Sequence, residues 1–441
     1  MARSTLQGNL QSWLASANNV APSTSNQPAQ SMAFQRWFKF KEAFAPSFVV
    51  ETIGRLPYRP TMCLDPFGGS GTTALTCQFL GIKSVTVEVN PFMADVVEAK
   101  LTQYDPTELR RSFRYTAGCA RRAWKRKNPA QGFPNAPSTF VEPGEGGRWI
   151  FNRDVSKAIL ALKSGIDDVP KEHHRRFLRI MLGSRLVEVS NILVNGKGRR
   201  YRRNWHRRAV SAEDVLDAFD GACSLAIADI EAFASKRRTS FKVLNGDARE
   251  IVRDCPEVDL VLTSPPYPNS FDYTDIYNIE LWALGYLSSQ EDNRNLRNST
   301  VRSHVQITHQ GEPAYLLSPT LTKTYRALAK RRENLWNRRI PEMLCHYFED
   351  LQAVLQGCKA VLKSGGYVVL AVGNSRYDGI LINVPIILEE VVDKLGFDLI
   401  RTEAVRSMRT SAQQGGSHLL NESLIWLSVK GPRGDHQRKD T

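Results

Sequence analysis

Two short segments carry the residues with the most chemistry. The first, Thr263-Ser264-Pro265-Pro266-Tyr267, directly follows the apolar run Val258-Asp259-Leu260-Val261-Leu262. Two successive prolines remove two backbone donors and fix two φ angles, so a strand must stop there. What remains is a stiff ledge bearing a hydroxyl (Ser264), an acceptor carbonyl (Pro265) and an aromatic ring (Tyr267). A ring that can stack beside two hydrogen-bond acceptors suits a flat heterocycle carrying an amino group. The second segment, Leu64-Asp65-Pro66-Phe67-Gly68-Gly69-Ser70-Gly71-Thr72-Thr73, precedes a helical stretch from Ala74 to Leu80. Its glycines let the backbone approach a ligand between a strand and a helix N-terminus. A phosphate loop would carry Lys before its last Ser or Thr. Gly71 stands there instead, which argues against a nucleotide triphosphatase.

Two acidic residues fall where such a site would use them. Ser84-Val85-Thr86-Val87-Glu88 reads as a strand from its β-branched content, and its terminal carboxylate lies about 20 residues past the glycine loop, where it can accept both hydroxyls of a ribose. Asp247 sits in Asn245-Gly246-Asp247-Ala248, which also reads as a turn. Upstream, Arg36-Trp37-Phe38-Lys39-Phe40-Lys41-Glu42-Ala43-Phe44 is rich in aromatic residues.

Taken together, these motifs resemble those of the DNA amino-methyltransferases that act on cytosine N4 or adenine N6. The Thr-Ser-Pro-Pro-Tyr form is typical of the cytosine-N4 branch. The resemblance covers roughly residues 34–100 and 241–430. It implies an α/β fold, a Rossmann-like class I methyltransferase sheet with an inserted, largely helical basic domain. It implies S-adenosyl-L-methionine as cofactor, held by Phe44, Asp65, Pro66, Phe67, Gly69, Gly71, Thr72, Glu88 and Asp247. Ser264, Pro265, Pro266 and Tyr267 would be catalytic. Double-stranded DNA would be the substrate, its target base flipped out onto the ledge, and a cognate restriction endonuclease the partner of a restriction-modification member. Adenine-N6 methylation is the near alternative. An RNA amino-methyltransferase or a catalytically silent DNA-binding homologue fits less well. The order of motifs, cofactor loop before catalytic loop, is the reverse of that in many cytosine-N4 enzymes.

These residues need elements to position them. Residues 34–100 alternate helix and strand as a βαβ half does, and the alternation resumes at Ser240. Residues 1–33, rich in Ser, Asn, Gln and Ala, read as a flexible arm, and the polar end 431–441 as a flexible tail. Between the two halves, 101–240 reads as an insertion and a candidate target-recognition region, with helices over 171–190 and 211–236. The irregular stretch 287–340 is the second choice for that role.

The net charge of +14 favours a polyanionic partner. It is concentrated in the insertion, which holds 27 Lys and Arg against 15 Asp and Glu. Residues 195–208 carry seven Lys or Arg, two aromatics and no acid. Lys197, Arg199, Arg200, Arg202, Arg203 and Arg207 suit phosphates and guanine edges, and Tyr201 and Trp205 suit stacking. No run approaches a membrane span, and no export signal is visible at Met1–Leu14. Seven scattered cysteines without a Cys-x-x-Cys pair suit a reduced, cytoplasmic compartment better than a disulfide frame or a zinc site.

Overall fold

Alternating strands and helices close into one seven-stranded sheet with helices on both faces. The computed structural model describes residues 2–16, 28–40, 43–128, 132–195, 198–233, 239–269, 271–306, 314–409 and 419–429. The strands are β1 (Met62–Asp65), β2 (Lys83–Glu88), β3 (Ile192–Asn195), β4 (Gly198–Tyr201), β5 (Phe241–Asn245), β6 (Val258–Thr263), β7 (Leu362–Gly373), β8 (Ser375–Tyr377), β9 (Ile380–Ile382), β10 (Asp398–Arg409) and β11 (Leu419–Ser428). The main sheet runs β5-β2-β1-β6-β7-β11-β10. Its first five strands are parallel, and β11 lies antiparallel to both its neighbours. β3–β4 and β8–β9 are small separate hairpins.

The chain winds outward from β1 through β2 to β5, then crosses back to place β6 on the other side of β1. The C-terminal ends of β1 and β6 therefore flank the switch point, where open α/β sheets bind ligands. Parallel strands buried on both faces read as near-continuous apolar runs, as β6 does apart from Asp259. That carboxylate pins the start of β6. It accepts from the Thr61 and Met62 backbone N–H groups at 2.6 and 2.8 Å and from Lys363 Nζ at 2.9 Å.

One sheet face packs on helices Ile340–Val361 and Val384–Lys394. The other carries helices Pro46–Gly54 and Thr72–Leu80. The inserted helices Pro106–Ala123, Arg153–Asp167, Glu172–Val189 and Ala212–Phe233 form where helical periodicity lies. Their apolar faces merge with Leu75, Phe79, Phe92 and Val96 into a single hydrophobic cluster. The insertion is thus packed into the core on that side rather than carrying a core of its own.

The N-terminal arm differs from expectation. Ala2–Leu14 is a helix, and Trp13 is fully buried, stacked on Phe79 with ring centroids 4.3 Å apart and donating through Nε1 to the Ala33 carbonyl at 3.0 Å. An apolar ring of this size overrides the polar composition around it. Residues 17–27 and 430–441, part of the expected arm and all of the expected tail, lie outside the described residues.

The segment that follows the arm is clamped by a buried acid from the insertion. Asp229 accepts from the Phe34 backbone N–H at 3.0 Å, from Trp37 Nε1 at 3.0 Å and from the Arg36 guanidinium. Removing one partner of a buried charged network leaves the others uncompensated. Asp229→Ala should therefore cost about 3 kcal/mol of stability. A fall in the chemical denaturation midpoint would show it, and an unchanged midpoint would show that the clamp contributes nothing.

Candidate active site

The two chemically loaded segments meet across the switch point. Thr263, the last residue of β6, donates through Oγ1 to Asp65 Oδ1, at the end of β1, over 2.6 Å. Asp65 is buried and also accepts from the Phe67 backbone N–H at 3.1 Å, so one carboxylate orients both loops. Burial pushes its pKa up, against the hydrogen bond from Thr263.

The glycine loop is shaped by close approach. A Cβ on Gly68 would lie 2.1 Å from Thr86 Cγ2, because the loop folds directly onto β2, where Gly68 N–H donates to the Val87 carbonyl at 2.9 Å. Gly71 caps helix Thr72–Leu80 with a left-handed φ of 78°, a conformation costly for other residues. Glu88 closes the loop from the next strand. One carboxylate oxygen accepts from Gly69 N–H at 2.7 Å and the other from Asn90 N–H at 2.9 Å. Asn90 in turn caps helix Pro91–Leu101. The Glu88 carboxyl group is enclosed by the walls while part of its surface still faces the cavity. That burial pushes it up to about 7, although the two N–H donors pull it down.

These pieces line one cavity of about 330 Å³, at the lower end of the range for small-molecule sites. Of the residues expected to hold the cofactor, Phe44, Asp65, Pro66, Phe67, Gly69, Thr72, Glu88 and Asp247 line it. Gly71 does not, and serves instead to turn the chain into the helix. Ser264, Pro265, Pro266 and Tyr267 line the same cavity. Phe40 and Phe44 form part of the wall, while Trp37 and Phe38 of the same segment go into the core. Lys41 and Glu42 lie outside the described residues. Asp247 is more committed than expected. Arg249 Nε contacts both of its oxygens at 3.0 Å, and the same carboxylate caps helix Ala248–Ile251, so little of its acceptor capacity is left over.

Several site residues carry no sequence motif. The Tyr267 hydroxyl donates to Glu422, a buried acid on β11, which fixes the ring of the ledge. The Tyr377 hydroxyl donates to the Pro268 carbonyl at 2.8 Å and holds the next turn. Lys100 is fully buried and donates to the Ser70 carbonyl at 2.8 Å and to Gln35 Oε1 at 3.3 Å, which ties the glycine loop to the N-terminal segment. Burial pulls its ammonium down to about 7. His304 also lines the cavity. Their spacing along the chain gives no local pattern, because each acts through tertiary contact.

The basic segment of the insertion is the hairpin β3–β4 and the turn after it. Arg200, Arg203 and Arg207 are exposed. Arg199 pairs with Asp275 at 3.1 Å, which joins the hairpin to the helix following the ledge. Arg202 points inward, donating to the Val187 and Ser190 carbonyls at the end of helix Glu172–Val189. Tyr201 and Trp205 pack on each other, and Trp205 also packs on Trp149. Four of the residues expected to contact nucleic acid, Arg199, Tyr201, Arg202 and Trp205, are therefore engaged in contacts that hold the hairpin in place. Lys197 lies outside the described residues.

The residues present fit S-adenosyl-L-methionine. Beside the ribose-type acceptor Glu88, the cavity wall includes Ser70, whose buried hydroxyl has no partner among the described residues. The strand order with an antiparallel β11, joined to this glycine loop at the switch point, is the Rossmann-like sheet of the class I methyltransferase fold. The Type II methyltransferase M.AvaI of Nostoc sp. is 26% identical over 425 residues, covering 89% of this chain and 85% of that protein. M.BsoBI of Geobacillus stearothermophilus, also a Type II methyltransferase, is 23% identical over 462 residues, covering 91% and 87%. Both similarities to Type II methyltransferases run over most of this chain and most of theirs. Among solved structures, TrmN from Thermus thermophilus aligns with a TM-score of 0.28 at 12% identity, over 87% of this chain and 48% of that one. No family model matches the sequence.

With Glu88 as the proposed ribose acceptor, its raised carboxyl should make cofactor affinity pH-dependent. Ribose hydroxyls donate to the ionised form, so binding releases a proton below about pH 7 and affinity rises with pH until the group is ionised in the free protein. Titration calorimetry should show roughly tenfold tighter cofactor binding at pH 8 than at pH 6. Glu88→Gln should weaken binding and flatten the profile. An equally steep profile in that variant would assign the titration to another group.

Proposed function

We propose that the protein is a site-specific DNA methyltransferase that moves a methyl group to the exocyclic N4 amine of cytosine in double-stranded DNA, as the modification component of a restriction-modification system. One observation carries this reading: the Ser-Pro-Pro-Tyr ledge and the cofactor loop open onto a single cavity, tied together by Thr263 and Asp65. S-adenosyl-L-methionine, when bound, supplies an electrophilic methyl group. The ledge makes the amine able to attack it. An exocyclic amine is a poor nucleophile because its lone pair is conjugated into the ring. Ser264 Oγ and the Pro265 carbonyl accept its two hydrogens, pull the nitrogen toward tetrahedral geometry and aim the lone pair at the methyl group. Orientation and fixed dipoles are thus the source of rate. Tyr267, held by Glu422, offers a ring face to a base that has left the duplex. Asp65 and Glu422 position this machinery without touching the amine.

Kinship with Type II methyltransferases supports DNA as the substrate, and the exposed Arg200, Arg203 and Arg207 of the hairpin support a phosphate-contacting role for the insertion. Ser rather than Asp at position 264 favours cytosine over adenine. Expression in a methylation-free host, followed by single-molecule sequencing of its DNA, tests the proposal. N4-methylcytosine at one motif is the expected result. N6-methyladenine would transfer the assignment, and unmodified DNA beside measurable cofactor binding would overturn it.

Ser264→Ala should lower kcat by roughly 10²-fold while leaving the cofactor dissociation constant within about twofold, and Tyr267→Phe should fall between it and the wild type. A parallel loss of cofactor binding would contradict this division of labour. Replacing Arg200, Arg203 and Arg207 together by Ala should weaken DNA binding and make the slope of log K against log salt shallower by up to about 3. Arg202→Ala should instead lower stability by about 1 kcal/mol, since it removes hydrogen bonds to helix-end carbonyls. An unchanged salt slope in the triple variant would remove the hairpin from the interface.

A further inference from the structure

The ledge is rich in acceptors and poor in donors. Pro265 and Pro266 have no N–H, and the Tyr267 hydroxyl donates to Glu422. A base whose amine is held there presents an unsatisfied ring-nitrogen acceptor next to that amine, N3 in cytosine or N1 in adenine. A donor for it can come from elsewhere in the cavity lining, one stretch of which is supplied by Ser299, Thr300, Val301, Ser303 and His304.

In that stretch, His304 stands apart. It is 1% exposed and lines the cavity, and neither ring nitrogen has a hydrogen-bond partner among the described residues. A buried polar group without a partner costs free energy, so a native structure that retains one invites a functional explanation. Asp272 does not supply the partner. Its Oδ1 is 4.0 Å from His304 Nε2, and the carboxylate is already engaged by Arg297 at 2.8 Å and by the Thr274 N–H and hydroxyl at 2.9 and 2.6 Å. Gln306 is near enough to pull the imidazole up, yet it makes no hydrogen bond to either ring nitrogen. Burial holds the imidazole below its usual range, against the pull of Asp272 and with the push of Arg297, so it is neutral at pH 7 and offers one donor and one acceptor.

The segment bearing His304 is also rigidly held. Arg302 donates from its backbone N–H to Asp350 Oδ2 at 2.8 Å and grips the same carboxylate through Nε at 3.0 Å. Asp350 is buried and also receives Arg249 Nη1 at 3.0 Å, and Arg249 Nη2 donates to the Asn298 carbonyl at 3.1 Å. A side chain carried on a wall braced in this way is preorganised to read a ligand rather than to adapt to it.

We propose that His304 is a specificity-determining residue that donates a hydrogen bond to the ring nitrogen beside the target amine and so recognises the flipped base. The inference rests on the reading of the cavity as a base-accepting methyltransferase site. It identifies the reader as a residue outside the ledge and outside the basic hairpin, and it separates recognition of the base from activation of its amine.

The test uses duplexes in which the target base, once identified by sequencing, carries CH in place of that ring nitrogen (3-deazacytosine, or 1-deazaadenine if adenine is the target). Wild-type kcat/KM should fall by roughly 10- to 100-fold on the analogue, the loss expected when a buried donor is left unpaired. His304→Ala should show a similar loss on natural DNA and no further loss on the analogue, with the cofactor dissociation constant within about twofold of wild type. His304→Asn, which keeps an N–H donor, should recover part of the discrimination. The wild-type comparison stands even if the alanine variant folds poorly. Wild-type indifference to the analogue, or discrimination by His304→Ala equal to that of wild type, would overturn the inference while leaving the proposed function intact. Loss of cofactor binding by both variants would overturn it by assigning His304 to the cofactor side. Absence of methylation on any DNA would overturn the proposed function, and this inference with it.

Discussion

The contact between Thr263 and Asp65 is the constraint on which the rest of the site depends. It joins the ends of two adjacent parallel strands, buried where no water competes for the bond, and residues 198 positions apart in the chain become hydrogen-bond partners. The loop leaving β1 is then the proposed cofactor cradle, and the loop leaving β6 is the ledge. Their relative placement is a property of the sheet, and neither loop has to find the other. Glu88, Lys100 and Glu422 extend the same logic outward. Each is a polar group largely withdrawn from solvent and hydrogen-bonded to a loop that must hold still. Positioning of this sort matters because a conjugated amine reacts only when its hydrogens and its lone pair are aimed together.

Much of this was legible in the chain. The double proline, the glycine loop and the acid ending β2 are local signals, since each imposes a backbone condition on its own neighbours. Two of the inserted helices were legible for the same reason, and 171–190 and 211–236 appear as Glu172–Val189 and Ala212–Phe233, while Pro106–Ala123 and Arg153–Asp167 were not anticipated. Tertiary effects were not legible. Trp13 lies in a polar stretch that composition marks as mobile, yet one buried ring stacked on Phe79 outweighs its neighbours. Arg202 is one of several identical-looking arginines, and only its place behind a helix end gives it a structural task. His304 and Glu422 sit in no motif, and they become site residues because the fold closes over them.

Asp247 illustrates a different limit. The turn it occupies and the function it resembles both use the same carboxylate, and in the structure that carboxylate is also claimed by Arg249. Arg249 and Arg302 share Asp350, so Asp247 and the segment bearing His304 are braced by a single buried anion. Those two parts of the lining are therefore held by one network, whereas separately hinged pieces would have to close on each ligand in turn.

The packing of the insertion against helix Thr72–Leu80 has a consequence for how such proteins diversify. Where a recognition module hangs from a catalytic module by a linker, evolution can exchange one for another and keep the chemistry. Here the inserted helices, the N-terminal helix and the helix that begins at the cofactor loop share one apolar cluster. Exchanging the insertion wholesale would strip the support from behind the cradle. With the hairpin and the cavity wall as the proposed readers of the target, new preferences would arise by residue-by-residue change there, while the scaffold that carries them is inherited intact.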